Sequence, residues 1–184
     1  MTQDLVKASK FLSLVLRHKP EQIGLTLDRE GWAGVDELIE RARTHGMLLT
    51  REIIVEVVRT SDKQRFALDE ARERIRANQG HSVEVDLGLE PIAPPAVLFH
   101  GTAKTSVASI RETGLHAAQR QHVHLSPDET TAIRVGQRHG RPVVLRIDAA
   151  GMHGAGLAFF RSTNGVWLTD SVPTEFIDFP NETM

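Results

Sequence analysis

The chain has 184 residues, enough for one large domain or two small ones, and its 40% hydrophobic and 25% charged residues exclude extended disorder and a fibrous structure. The absence of cysteine excludes disulfide bonds, thiolate metal sites and a cysteine nucleophile, and it is typical of a reducing cytosol. A net charge of −2 argues against a broad basic surface, so any contact with nucleic acid must be local.

Three helices are predicted at the start of the chain. Apolar residues at helical spacing predict the first over residues 4–18, and Pro20 requires it to end there because the residue before a proline disfavours helical geometry. The same spacing predicts a second helix over residues 35–45. A third is predicted over residues 51–60, with Thr50 as its N-cap.

Two short extended runs follow the helices, at residues 65–68 and 74–77. Three helices followed by a β-hairpin is the order of a winged helix, a module that commonly binds nucleic acid, although many winged helices contact only protein. We therefore predict a winged-helix lobe over residues 1–85. The proline-rich segment PIAPP cannot continue a helix or a central strand, which predicts a linker over residues 86–95.

The remaining residues, 96–184, predict a second lobe rich in antiparallel strands, so the fold class of the chain is α+β. Its predicted elements are the strand VLFH, a helix over 106–113 ended by Gly114, the strand HVHL, a further helix, and the strands VVLRI, FFR, VWLT and FIDF. Ser126 as N-cap, followed by Pro127 and Glu129, predicts the start of the second helix. The glycines form neither a GxGxxG nor a GKS/T pattern, so Rossmann and P-loop folds have no support.

Cationic side chains in the first lobe are candidates for binding an anion. Arg17 and His18 stand at the end of the first helix, where positive charge is favoured in any protein, so a purely stabilising role is the ordinary alternative. Arg65 stands at the entrance of the first hairpin strand. Strand alternation would place Lys63 on the same face as Arg65, and a solvated strand-end arginine is the alternative.

A second group of donors lies in QRQHVHLS. Alternation aligns Arg120, His122 and His124 just before the helix predicted at Ser126, whose free N–H groups would attract an anion. Zinc binding by His100, His122 and His124 is a weaker alternative because no carboxylate stands at a recognisable spacing. Ser126 as a nucleophile is weaker still, because the GxSxG elbow is missing.

The segment LFHGT ends an apolar strand with His100, Gly101 and Thr102. Glycine would let the backbone approach a flat ligand closely, and Thr102 adds a hydroxyl. A strand that simply leaves through a glycine turn is the ordinary alternative.

Taken in order, the segments KFLSLVLRHKP, SDKQRF, IRANQGHS, LFHGT, HVHLS, VGQRHG and NGVWLT resemble the tRNA 2′-phosphotransferase family, whose bacterial members are called KptA. The resemblance runs from about Ser9 to Phe179. It implies an N-terminal winged-helix lobe that holds RNA and a C-terminal lobe of ADP-ribosyltransferase fold that holds NAD+.

The resemblance also implies residue roles. The RNA 2′-phosphate would be surrounded by Arg17, His18, Arg65 and Arg120. The main NAD+ contacts would be His100, Gly101, Thr102 and Ser126. Further NAD+ contacts would come from Ser109, Ile110, Gly114, Arg134 and Arg138. Because the first three phosphate residues lie in one lobe and Arg120 lies in the other, we expect the phosphate in a cleft between the lobes.

The implied reaction has two steps, uses NAD+ as co-substrate and needs no metal. The RNA 2′-phosphate attacks C1 of the nicotinamide ribose and expels nicotinamide, and the ribose 2″-hydroxyl then attacks phosphorus, giving 2′-OH RNA and ADP-ribose 1″,2″-cyclic phosphate. Phosphate is already an anion, so arginines need only align it. NGVWLT offers no carboxylate before Asp170 that could match the catalytic glutamate of many protein ADP-ribosyltransferases.

Two other functions remain open: a transferase that leaves ADP-ribose on a terminal phosphate or a protein side chain, and a non-catalytic winged-helix binding module. The physiological RNA also stays open between tRNA splicing and RNA repair, and His18 could donate a proton or only bind phosphate. No apolar stretch approaches the roughly 20 residues that cross a bilayer, and MTQDLVKASK does not resemble a signal peptide. We expect a cytoplasmic monomer without membrane contact.

Overall fold

The structure, a computed structural model, describes residues 3–61, 63–138 and 140–180. The chain divides into two compact units, Met1–Gly88 and Leu89–Met184, each with its own apolar core. Both units combine helices with small antiparallel sheets, in agreement with the predicted α+β class. None of the helices within the described ranges is long and apolar enough to cross a membrane.

Among residues 3–61 and 63–88, the first unit contains three α-helices and one three-stranded sheet. Its elements are α1 (Gln3–Arg17), β1 (Ala33–Gly34), α2 (Val35–Thr44), α3 (Arg51–Thr60), β2 (Phe66–Asp69) and β3 (Arg74–Ala77). The strands are antiparallel in the order β1-β3-β2. The three predicted helices and the predicted hairpin are confirmed, whereas β1 was not anticipated because two residues show no periodicity.

Helix α1 is held by a buried apolar face and ends where the sequence predicts. Leu12 and Leu16 are 0% exposed, and complete burial of a leucine contributes about 1.5 to 3 kcal/mol. The backbone N–H groups of His18 and Lys19 both bond to the Leu14 carbonyl, and a short 3-10 turn begins at Pro20. Arg17 is therefore the last residue of the helix, and His18 follows it directly.

The start of α3 also agrees with its prediction. The Thr50 hydroxyl accepts a hydrogen bond from the Ile53 N–H at 3.3 Å, as an N-cap does. The helix leads to the hairpin of β2 and β3, in which Phe66 pairs with Ala77. Phe66 is only 3% exposed. This burial fixes the backbone immediately after Arg65.

In the described part of the second unit, residues 89–138 and 140–180, there are three short α-helices and three small antiparallel sheets. Its strands are β4 (Val97–Ala103), β5 (Leu115–His116), β6 (Val123–Leu125), β7 (Pro142–Asp148), β8 (Phe160–Arg161), β9 (Trp167–Thr169), β10 (Ser171–Val172) and β11 (Ile177–Asp178). Its helices are α4 (Val107–Thr113), α5 (Glu129–Gly136) and α6 (Ala149–Gly154). The sheet orders are β11-β7-β4, β6-β9-β8 and β10-β5. The backbones of Phe99 and Ser126 exchange hydrogen bonds at 2.9 and 2.8 Å, which joins the strand β4 to the end of β6.

The start of α5 differs from its prediction. The N-cap is Asp128, whose carboxylate accepts from the Thr131 N–H at 2.8 Å, and Ser126 belongs to the backbone bridge instead. Hydrogen bonds from Thr131 lower the pKa of the Asp128 carboxyl. The Ser-Pro signal was misread because Asp128 offers the same cap with a full negative charge, which the helix N-terminus favours.

Candidate active site

The structure brings Arg17, His18 and Arg65 together in the first unit, and we name these three residues the arginine–histidine cluster. Arg17 Nη2 donates a hydrogen bond to the Arg65 carbonyl at 3.2 Å. The guanidinium of Arg17 also lies 5.8 Å from the ring centre of Phe66. The end of α1 is thereby fixed against the start of β2, so two motifs separated by 48 residues form one cationic surface.

His18 is positioned by a segment for which no role was predicted. Its Nδ1 lies 3.0 Å from the Ser82 hydroxyl. The backbone N–H groups of Ser82 and Val83 bond to the Arg17 carbonyl at 2.9 and 3.3 Å. These bonds satisfy a carbonyl that the helix end would otherwise leave open. Apart from its place in IRANQGHS, no local pattern pointed to this contact, because the partners stand 64 residues apart.

His81 lies behind the cluster as a neutral, buried imidazole. It is 1% exposed, and neither ring nitrogen makes a hydrogen bond. Burial, together with the smaller effects of the positive charges of Arg17, His18 and Arg76, lowers the pKa of His81 to about 4. The direction of this electrostatic effect indicates a positive potential at the cluster, which suits an anion.

Arg65 is half-buried, and its backbone differs from the predicted strand start. The strand begins at Phe66, and Gln64 has a φ of 41°. Alternation therefore does not relate Lys63 to Arg65, and that part of the prediction was wrong. The position of Arg65 is set instead by its carbonyl, which accepts from Asn78 and Arg17, and by Ser61, whose hydroxyl lies 3.5 Å from Arg65 Nη1.

In the second unit, Arg120 pairs with His124 but not with His122. Arg120 Nη1 lies 2.9 Å from His124 Nδ1. Because arginine can only donate, this nitrogen of His124 accepts and the imidazole proton sits on Nε2. His122 instead lies 3.8 Å from the Asp170 carboxylate and edge-on to Phe160. The predicted alignment of the three side chains is wrong because β6 begins only at Val123.

His100 is oriented by β6. Its Nδ1 lies 3.0 Å from the His124 carbonyl oxygen, which can only accept, so Nδ1 carries a proton. The three imidazoles weighed as zinc ligands thus have different neighbours. Within residues 3–61, 63–138 and 140–180, no three side chains of His, Cys, Asp or Glu form a group that could hold a metal ion.

Gly101 is required by the packing of α5. A Cβ at this position would collide with the carbonyl oxygen of Ala132 and lie 2.9 Å from the Gly136 nitrogen. The backbone of α5 therefore rests directly on the backbone of β4. Two explanations for this glycine were open from the sequence, close approach to a ligand and a glycine turn, and neither included the contact with α5.

The other residues predicted to contact NAD+ differ in how far they are accessible. Thr102 and Ile110 are each only 8% exposed, and Ile110 belongs to the apolar core. Gly114 has a φ of 78°, and a Cβ there would collide with the Val172 carbonyl. The exposed members are Ser109 on α4, Arg134 on α5, and Arg138 just after it. Ser126 lies beside Phe99 through the backbone bridge, next to His100.

Comparison with known proteins agrees with the resemblance seen in the motifs. The model of the RNA 2′-phosphotransferase, Tpt1 / KptA family matches residues 3–171. A probable RNA 2′-phosphotransferase of Acaryochloris marina is 56% identical over 176 residues, covering 96% of this chain and 97% of that protein. Probable RNA 2′-phosphotransferases of Pectobacterium carotovorum, 56% identical with 92% of each chain covered, and Streptomyces griseus, 52% identical with 94% and 95% covered, are similar. The chain therefore belongs to the RNA 2′-phosphotransferase family.

Proposed function

We propose that the chain removes a 2′-phosphate from RNA by transferring it to NAD+, with release of nicotinamide and ADP-ribose 1″,2″-cyclic phosphate. The observation that carries the proposal is the arginine–histidine cluster, in which Arg17 bonds to the Arg65 backbone at 3.2 Å beside His18. Membership of the RNA 2′-phosphotransferase family supports RNA as the phosphate donor. The dependence on NAD+ is our inference from the motif resemblance.

We assign RNA binding to residues 1–85, as a winged-helix lobe. The order α1, β1, α2, α3, β2, β3, with a three-stranded sheet of order β1-β3-β2, supports this assignment. We assign NAD+ to residues 96–184, as a lobe of ADP-ribosyltransferase type, with residues 86–95 as the linker. Its small antiparallel sheets joined at Phe99 and Ser126 are compatible with that role.

In the proposed first step, a 2′-phosphate oxygen forms a bond to C1 of the nicotinamide ribose, and the bond from that carbon to nicotinamide breaks. Nicotinamide leaves with the electron pair. The phosphate needs no base because it is already ionised, so the protein has only to hold it in line. Arginine suits this task because its planar guanidinium binds phosphate through two parallel hydrogen bonds. Arg17 and Arg65 are the residues to which we assign it, with Arg120 as a third cation.

In the proposed second step, the ribose 2″-hydroxyl attacks phosphorus and the RNA 2′-oxygen leaves. The attacking hydroxyl loses a proton and the departing oxygen gains one. We assign His18 to supply that proton, because imidazole is the side chain that most often transfers protons in enzymes. Negative charge increases on the phosphoryl oxygens in this step. In other enzymes, one fixed hydrogen-bond donor stabilises such a transition state by about 3 to 4 kcal/mol.

For NAD+ we retain the residues implied by the resemblance and adjust how they contact the ligand. His100, oriented by the His124 carbonyl, and Ser126 are assigned side-chain contacts. Gly101, Thr102, Ile110 and Gly114 are assigned contacts through the backbone, because they are buried. The exposed candidates are Ser109, Arg134 and Arg138.

A short RNA with one internal 2′-phosphate, incubated with and without NAD+, tests the proposed function. We expect 2′-OH RNA, nicotinamide and the cyclic phosphate to appear in equal amounts, and only with NAD+. NAD+ labelled in the ADP-ribose distinguishes the alternatives. Label that stays on RNA or protein indicates an ADP-ribosylating transferase, and the absence of nicotinamide release with any phosphorylated RNA indicates a binding module. Activity that disappears with a chelator would contradict the metal-free mechanism.

A further inference from the structure

A groove of about 420 Å³ runs along α1 and reaches the arginine–histidine cluster. We name it the α1 groove. Its lining includes Val6, Lys10, Ser13, Leu14, His18 and Arg65. Binding sites for small organic molecules commonly measure about 300 to 1,000 Å³, so the α1 groove has room for about one nucleotide unit.

The α1 groove follows from the spacing of residues in the helix. Steps of four positions place Val6, Lys10 and Leu14 on one face of α1, and His18 continues this line just after the helix. Leu12 and Leu16, on the other side, are fully buried. At 1.5 Å per residue, Val6 and His18 lie about 18 Å apart along the axis. A ligand held at His18 could therefore extend away from the cluster along the helix.

The lining is chemically suited to a nucleotide. Lys10, His18 and Arg65 can attract phosphate, and none of the described residues lining the groove carries a carboxylate. The Ser13 hydroxyl donates its proton to the Ser9 carbonyl at 2.8 Å, so its oxygen can act only as an acceptor toward a ligand. Val6, 40% exposed, and the half-buried Leu14 offer apolar surface to a base or ribose.

We propose that the α1 groove binds the nucleotide adjacent to the 2′-phosphorylated one, with Lys10 contacting its phosphodiester. This inference rests on the proposed function, because it takes His18 and Arg65 as the site of the 2′-phosphate. The groove then makes the enzyme prefer a 2′-phosphate inside an RNA chain over the same phosphate on a single nucleotide. Lys10 is a substrate-binding residue and takes no part in the chemistry.

The test compares Lys10→Ala with Lys7→Ala, a matched control because Lys7 is exposed on α1 but does not line the groove. The substrates are a five-nucleotide RNA with a central 2′-phosphate and a mononucleotide with the same group. Loss of one exposed ionic contact should lower kcat/KM for the five-nucleotide RNA about two- to five-fold more than for the mononucleotide. Val6→Asp, which adds a repelling carboxylate, should give at least the same discrimination. Lys7→Ala should leave kcat/KM unchanged for both substrates.

Binding without NAD+ separates this proposal from the proposed function. Fluorescence anisotropy of the labelled five-nucleotide RNA should show a slope of log K against log salt that is smaller by about 0.7 in Lys10→Ala, as expected for one lost phosphate contact on a single strand. A Lys10→Ala variant that matches Lys7→Ala in binding, or that loses activity equally on both substrates, would overturn the α1 groove as a nucleotide site. Competition by poly-glutamate as strong as that by unmodified RNA of equal charge would also overturn it. Failure of the wild type to release nicotinamide, with the salt result intact, would count only against the proposed function.

Discussion

The hydrogen bond between His18 and Ser82 offers a direct test of how the arginine–histidine cluster is held in place. Ser82→Ala removes the hydroxyl that lies 3.0 Å from His18 Nδ1, while the N–H groups of residues 82 and 83 keep their bonds to the Arg17 carbonyl. One such hydrogen bond contributes about 0.5 to 1.5 kcal/mol. Since about 1.4 kcal/mol is a factor of ten in rate, we expect kcat to fall about two- to ten-fold.

The assay is single-turnover conversion of 2′-phosphorylated RNA at saturating NAD+, with thermal unfolding measured in parallel. The unfolding midpoint should hardly change, because Ser82 is exposed. Ser82→Thr is the matched control, since it keeps the hydroxyl and should retain most of the rate. In a His18→Ala background, Ser82→Ala should cause little further loss. Equal losses in both backgrounds would refute the reasoning that Ser82 acts through His18.

Three further predictions follow from the contacts described above. Arg65→Ala should lower kcat about 100-fold or stall ADP-ribosylated RNA, which gel analysis of the RNA would reveal, whereas the exposed Arg72→Ala should not; unimpaired turnover of Arg65→Ala would contradict the site. Gly101→Ala should lower stability by more than about 3 kcal/mol in denaturant unfolding, because its methyl group meets the Ala132 carbonyl; a small change would show that α5 can shift. His81 has a folded-state pKa of about 4, below the unfolded value of 6.5. Its contribution to stability is therefore present above pH 6.5 and is lost as pH falls through 4, by about 3 kcal/mol, and His81→Leu should flatten this part of the stability profile.

Local signals in the sequence predicted the regular elements of this chain well. The apolar face of α1 and the Thr50 cap of α3 are short-range features, and both appear as predicted. Where two residues competed for one role, local reasoning failed. Ser126 and Asp128 are both suitable N-cap residues, and Asp128 is the one that caps α5. The two-residue strands at FFR and FIDF were predicted, whereas β1, β5 and β10 were not, because their pairing is decided by distant partners.

The contacts that form the candidate site were beyond local reasoning. Arg17 meets Arg65 across 48 residues, and His18 meets Ser82 across 64. No spacing rule connects such positions, so only the order of motifs suggested that they act together. Gly101 is the opposite case. The sequence suggested that position 101 needs a glycine. The reason is close packing against the backbone of α5, which a single sequence does not reveal.

The Asp128 cap of α5 has a consequence for how a dinucleotide can be held. In many nucleotide-binding proteins a diphosphate rests on a helix N-terminus, where backbone N–H groups bind it. Here a carboxylate already occupies that end of α5, and its hydrogen bonds from Thr131 lower its pKa and keep it ionised. A diphosphate near α5 would depend on long cationic side chains, such as those of Arg134 and Arg138. Arg134 and Arg138 are exposed and can be replaced without disturbing the core, so this part of the proposed NAD+ site could diverge while the fold stays constant.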